Sequence, residues 1–135
     1  MRPINDPQTI QEALAEGSRI AIVGLSPKPH RDSHKVGQYL IDHGYDIVPV
    51  RPKADEVLGR KCYESVTDIG ENVDVVDVFL NPESVGPVVD AAIAKGAKIL
   101  WLQLGVVNQA EAEKARQAGL HVVMDRCIKI EHATR

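Results

Sequence analysis

The chain has 135 residues and a formal net charge of −3. That length allows one domain burying roughly two thirds of its unfolded surface, and the acidic balance argues against general nucleic-acid binding, which needs a basic face. No apolar run reaches the length of a membrane span and the N-terminal MRPINDPQTI lacks an apolar signal segment, so a soluble cytoplasmic protein is expected.

Apolar residues make up 44% of the chain with few aromatics, a composition suited to a parallel sheet under helices. Cys62 and Cys127 lie far apart and form no CxxC pair, so both read as free thiols. Without repeats, low-complexity segments or a long linker, residues 1–135 read as a single domain.

Taken in order, Asp6 before Pro7 predicts an N-cap with proline at the first helical position, and Gly17 ends that short helix. Ile20 to Val23 is an apolar, β-branched run, the signature of a buried parallel strand. A polar loop follows Gly24, with Ser26, Pro27, Pro29 and Arg31. Ser33 then offers an N-cap, and Val36, Tyr39, Leu40 and His43 recur at helical spacing until Gly44. Asp46 to Val50 predicts a second strand, with Pro49 near a strand end or on an edge.

Residues 51–70 are irregular, with at most a weak third strand around Gly59. Asp74 to Leu80 is the next strand. A helix follows, capped by Ser84 with Pro87 in its first turn and closed by Gly96. Ala97 to Leu102 is a strand, Asn108 with Glu111 resembles a capping box, and His121 to Met124 is the last strand before a short tail helix. Strands alternating with helices of about ten residues call for an α/β fold. The expected form is a Rossmann-like, open, mostly parallel sheet with helices on both faces. Its ligand crevice would lie beyond the C-terminal strand ends.

The loop after the first strand puts backbone N–H groups and a helix start at one point, and such a point attracts phosphate. It has one glycine, so it is not the G-x-G-x-x-G fingerprint, but Gly24, Ser26 and Arg31 suit a pyrophosphate. At the end of the second strand an NAD site wants Asp or Glu. This chain has Arg51 and Lys53, which suit a phosphate on the adenosine ribose, as carried by NADP and by coenzyme A. His30 and His34 straddle a loop and a helix start with no third ligand, so no metal site is expected. His34 sits better near the phosphates. Asp77 reads as a strand residue bonded to neighbouring backbone or facing out at an edge. Trp101 reads as core, and Gln103 just beyond it as pointing into the crevice. Cys127 and His132 lack the activating neighbours of a nucleophile.

At these residues the chain resembles the small bacterial CoA-binding proteins, whose domain is similar to the CoA-binding N-terminal domain of the succinyl-CoA synthetase α subunit. The matching stretches are VGLSPKPHRDSHKVGQYL (23–40), GYDIVPVRPKADEVLGRKCYES (44–65), VDVVDVF (73–79), GAKILWLQLGVVN (96–108) and AGLHVVMDRCIKIEH (118–132). The resemblance implies a site for coenzyme A or an acyl-CoA. Gly24, Ser26, Arg31 and Ser33 would hold the pyrophosphate, and Leu25 of the same loop and His34 at the helix start are counted with them as cofactor-binding residues. Arg51, Pro52 and Lys53 would take the adenosine and its 3′-phosphate, Phe79, Leu80 and Val85 would line the adenine side, and Gln103 would face the pantetheine. Family members more often read V-N-P-K where this chain has Val50-Arg51-Pro52-Lys53. The synthetase carries its phosphorylated histidine on a further domain, and no residue here matches it.

The expected function is therefore a CoA-binding module with a small-molecule nucleotide as its ligand and no catalytic residues assigned. Two alternatives share the crevice: an NADP-dependent oxidoreductase, and a thiol-based redox or CoA sensor acting through Cys127.

Overall fold

The computed structural model describes residues 1–135. Its centre is a five-stranded, fully parallel sheet built from β1 (Arg19–Val23), β2 (Asp46–Val50), β5 (Val75–Val78), β6 (Ile99–Leu102) and β7 (His121–Met124), in the spatial order β2-β1-β5-β6-β7. Two-residue strands β3 (Glu56–Val57) and β4 (Arg60–Lys61) pair only with each other. The weak third strand expected near Gly59 is thus a small hairpin outside the sheet. Its segment touches the sheet through one bridge between Val50 and Tyr63.

Helices cover both faces, as the alternation of strand and helix patterns requires. On one face α1 (Pro7–Ala13), α2 (Asp32–Asp42) and α5 (Ile128–Ala133) pack Leu14, Val36, Leu40 and Ile128 against Ile20, Ile22, Val75 and Trp101. On the other, α3 (Gly86–Lys95) and α4 (Gln109–Gln117) pack Val89, Ala92, Ala112 and Ala115 against Val76, Val78, Leu100 and Leu102. Successive residues of a strand therefore serve opposite cores, which is why these strands are apolar throughout. Val75, Val76 and Val78 are fully buried, and each such side chain stabilises the fold by about 1.5–3 kcal/mol.

Local signals explain most element ends. The Asp6 carboxylate accepts from the Gln8 N–H at 2.9 Å with Pro7 opening α1, and Asn108 Oδ1 accepts from the Glu111 N–H at 3.1 Å to open α4. β2 is an edge strand, which accommodates Pro49. Two expected caps are corrected. Ser84 does not cap α3: it ends a short 3₁₀ turn (Pro82–Ser84), and α3 begins at Gly86 behind Val85. Ser33 does not cap α2 either; the helix starts at Asp32 behind Arg31, and no side chain bonds its first N–H groups. Ser33 lies inside the first turn and is turned to the preceding loop.

Candidate functional site

The chain reverses direction across the sheet between β1 and β5: β2 lies to one side of β1, while β5, β6 and β7 lie to the other. Connections leaving the two central strands therefore diverge and leave a crevice at their C-terminal ends. Gly24 and Phe79 occupy that point. Gly24 has φ +84°, and a Cβ added there would sit 2.3 Å from the Phe79 carbonyl oxygen. Its N–H donates to Val50 O at 2.8 Å, and Phe79 N–H donates to Val23 O at 2.9 Å. Only a residue without a Cβ allows this approach.

The loop from β1 to α2 is held by the start of the helix it precedes. Ser33 Oγ accepts from the Ser26 N–H at 3.0 Å, His34 Nδ1 meets Ser26 O at 2.9 Å, and Ser26 Oγ accepts from the Lys28 N–H at 3.1 Å. Ser33 and His34, expected at the ligand, both use their side chains to shape the loop. Ser33→Ala is expected to destabilise the protein by about 1–2 kcal/mol, because the Ser26 N–H then loses its acceptor. Urea unfolding checks this.

At the start of α2 the N–H groups of Asp32, Ser33 and His34 have no acceptor within the chain; the ladder begins with Lys35 N–H to Arg31 O. Unpaired N–H groups at the start of an eleven-residue helix carry partial positive charge, and the Asp32 carboxylate stands in the same turn. A cleft of about 630 Å³ opens over this turn.

Of the predicted residues, Gly24, Ser26, Arg31 and Ser33 line that cleft from the loop, and Arg51, Phe79, Leu80 and Gln103 line it from the strand ends. Leu25 and Val85 are fully buried instead. Pro52 and Lys53 lie outside it on a turn where Lys53 has φ +58°, and His34 stands behind the loop. The Arg51 Nε is buried without a partner, and its Nη1 reaches Leu25 O only at 3.5 Å. Lys28, Asp32 and Leu104 also line the cleft. Leu104 was detectable only as an apolar residue between Gln103 and Gly105, with no period to mark it as exposed.

A second, more apolar cleft of about 380 Å³ adjoins the first, sharing Asp32, Phe79, Gln103 and Leu104. Cys127, Lys129 and Ile130 close its far side. Cys62, by contrast, is buried away from both, and burial pushes its thiol pKa up. No three His, Cys, Asp or Glu side chains gather closely enough to hold a metal ion.

Asp77 is the main departure from expectation. It lies on β5 in the middle of the sheet, fully buried, and bonds neither a neighbouring backbone nor solvent at an edge. Its Oδ1 accepts from Gln103 Nε2 at 2.6 Å, and Oδ2 has no partner. Burial raises its pKa to about 8, with the Gln103 bond pulling the other way. The sequence marks Asp77 only as a polar residue within an apolar strand; its full burial and single partner are three-dimensional information. Trp101 is core as read, its Nε1–H donating to Arg126 O at 2.8 Å.

The model of the CoA binding domain matches residues 18–133, nearly the whole chain. The chain belongs to the CoA-binding domain family. That bears out the resemblance read from its loops. Among relatives of this CoA-binding domain, an uncharacterized protein of Bacillus subtilis, YneT, is 40% identical over 124 residues, 92% of either chain. The α subunit of acetate–CoA ligase (ADP-forming) I from Pyrococcus furiosus is 30% identical over 128 residues; the match takes in 83% of this chain but 28% of that subunit. In structure, a hypothetical protein from Pyrococcus horikoshii superposes with TM-score 0.91 at 47% identity, over 99% of this chain and 96% of that one. No helix is long and apolar enough to cross a membrane.

Proposed function

We propose that this domain binds coenzyme A, or an acyl-CoA, in the cleft at the C-terminal ends of β1 and β5. One observation carries the reading: the N–H groups at the start of α2 are unpartnered where Asp32 and Ser33 line a cleft that also holds Arg31 and Arg51, in a chain of the CoA-binding family. The pyrophosphate would lie on the α2 N-terminus against Ser26 and Arg31. Arg51, with its Nε unsatisfied, would take the 3′-phosphate. Phe79 and Leu80 offer apolar surface to the adenine. Gln103 stands where the first cleft meets the second, so the pantetheine arm would pass it and place its thiol or acyl end among Val36, Leu104, Cys127 and Ile130.

Calorimetric titration tests this. CoA should bind saturably and NADPH should give no heat. Silence with CoA at near-millimolar concentration overturns the reading, and saturable NADPH binding favours the oxidoreductase alternative. Arg51→Ala should weaken CoA binding by about ten- to a hundredfold, the loss of a charge-assisted contact. The same change should leave 3′-dephospho-CoA nearly unaffected.

A further inference from the structure

The buried carboxyl of Asp77 has no structural task that an apolar residue would not do better. Its strand neighbours on the same face are Ile22 on β1 and Trp101 on β6. The helices over that face bring Leu14, Val36, Leu40 and Ile128. Placing an acid there without a charged partner is unfavourable. Its one hydrogen bond runs to Gln103, itself buried yet lining both clefts. A carboxyl sealed in the core is thus connected to the ligand site through one amide.

We propose that Asp77 is a positioning residue for the ligand site: its protonation sets whether Gln103 presents a carbonyl or an amino group where the two clefts meet. The inference rests on the CoA reading above. An ionised Asp77 only accepts, so it holds the Gln103 NH2 and turns Oε1 to the cleft, the arrangement seen here. A protonated Asp77 also donates. Its O–H then bonds Gln103 Oε1, the amide rotates by half a turn, and the NH2 faces the cleft. The rotation preserves the shape of the side chain and exchanges an acceptor for a donor. The pantetheine arm, which carries amides with both groups, would meet one or the other.

The proton exchanges with water through the cleft. Among the other titratable groups on this side of the sheet, Asp32 and Lys35 from α2 and Cys127 and Lys129 from the start of α5 line the second cleft and Arg51 lines the first, while His132 of α5 bonds the Tyr39 hydroxyl with His43 beside it. Tyr39, Tyr45 and Cys62 lie in or against the core beneath. None of them bonds Asp77. Its raised pKa, about 8, is compatible with both states being populated near neutral pH.

The test has two arms, both on the full chain. First, ligand-free protein labelled with ¹³C and ¹⁵N is followed by NMR from about pH 6 to about pH 10, a range that brackets the titration. The Asp77 carboxyl carbon and the Gln103 side-chain amide should move with one shared midpoint, and the Gln103 shift should vanish in Asp77→Asn. A carboxyl that titrates near 4, the ordinary aspartate value, or a Gln103 amide that stays still while Asp77 titrates, overturns the proposal and leaves CoA binding untouched. Second, CoA affinity is measured by calorimetry at the two ends of that range. Wild type should change by about tenfold more than Asp77→Asn, the effect of exchanging one hydrogen bond for a mismatch. The ligand's own titrating groups act on both proteins alike, so an equal pH dependence in the two overturns the proposal. Failure of both proteins to bind CoA at any pH contradicts the CoA reading instead, and the first arm still decides the switch.

Discussion

Gly24→Ala is expected to destabilise the protein by about 3 kcal/mol or more and to abolish CoA binding. Two effects add at this position. The backbone has φ +84°, where a side chain is strained by roughly 1–2 kcal/mol. The new methyl group would also lie 2.3 Å from the Phe79 carbonyl oxygen, so backbone must move. That backbone belongs to the two central strands, tied here by the bond from Phe79 N–H to Val23 O, while Gly24 N–H holds β1 to β2 through Val50 O. Separating them opens the crevice floor from which the loop between β1 and α2 departs. Gly44→Ala serves as the control, since Gly44 has φ +88° with nothing within 4 Å of an added Cβ. It should lose only about 1 kcal/mol and keep its ligand affinity. Urea unfolding of both variants decides. If Gly24→Ala is no worse than Gly44→Ala, the close approach of the central strands is not what makes glycine necessary.

The second large effect is a pH dependence of stability that one substitution should remove. Asp77 has a folded pKa of about 8 against an ordinary value near 3.9, so between these values the folded state holds a proton that the unfolded state releases. Stability from this group is therefore full below about pH 4, declines as pH rises, and is lost once pH passes about 8. Asp77→Asn keeps the shape and cannot ionise. Relative to wild type, the variant should gain stability steadily across that window, by about 5 kcal/mol between about pH 4 and about pH 9. Denaturant unfolding at a series of pH values measures the difference. A constant difference between the two proteins across the window would mean that Asp77 titrates normally. The comparison also separates stability from function, because the same variant should lose the pH dependence of CoA affinity while becoming the more stable protein.

Much of this architecture is readable from local pattern. Ile20 to Val23, Asp46 to Val50 and His121 to Met124 are strands where β-branched runs placed them, because a two-sided core demands continuous apolar residues. Asn108 and Asp6 cap because their side chains reach N–H groups two or three residues on, a local geometry. Ser33 fits the same pattern and does something else: the loop folds back, and its hydroxyl meets Ser26 seven residues earlier. Ser84 fails as a cap because Pro82 starts a separate 3₁₀ turn.

In the site, Gly24, Ser26, Arg31, Arg51 and Gln103 come together because strand ends at a switch point must converge. Lys53 looked equivalent to Arg51, but two residues along a tight turn carry it out of the cleft. The Asp77–Gln103 bond joins residues 26 positions apart, one on β5 and the other just past the end of the adjacent β6. No spacing rule reports such a pair. A lone acid in a run of valines was the only signal, and it marked an anomaly without naming its partner.

The most direct measurement of the central claim is a CoA titration of ¹⁵N-labelled protein followed through backbone amide resonances. Binding at the α2 N-terminus predicts saturable shifts that are largest at Gly24, Ser26, Asp32, Ser33 and His34, with smaller ones at Arg51 and Gln103. Saturable shifts confined to another surface, or spectra unchanged at near-millimolar CoA, would contradict the account.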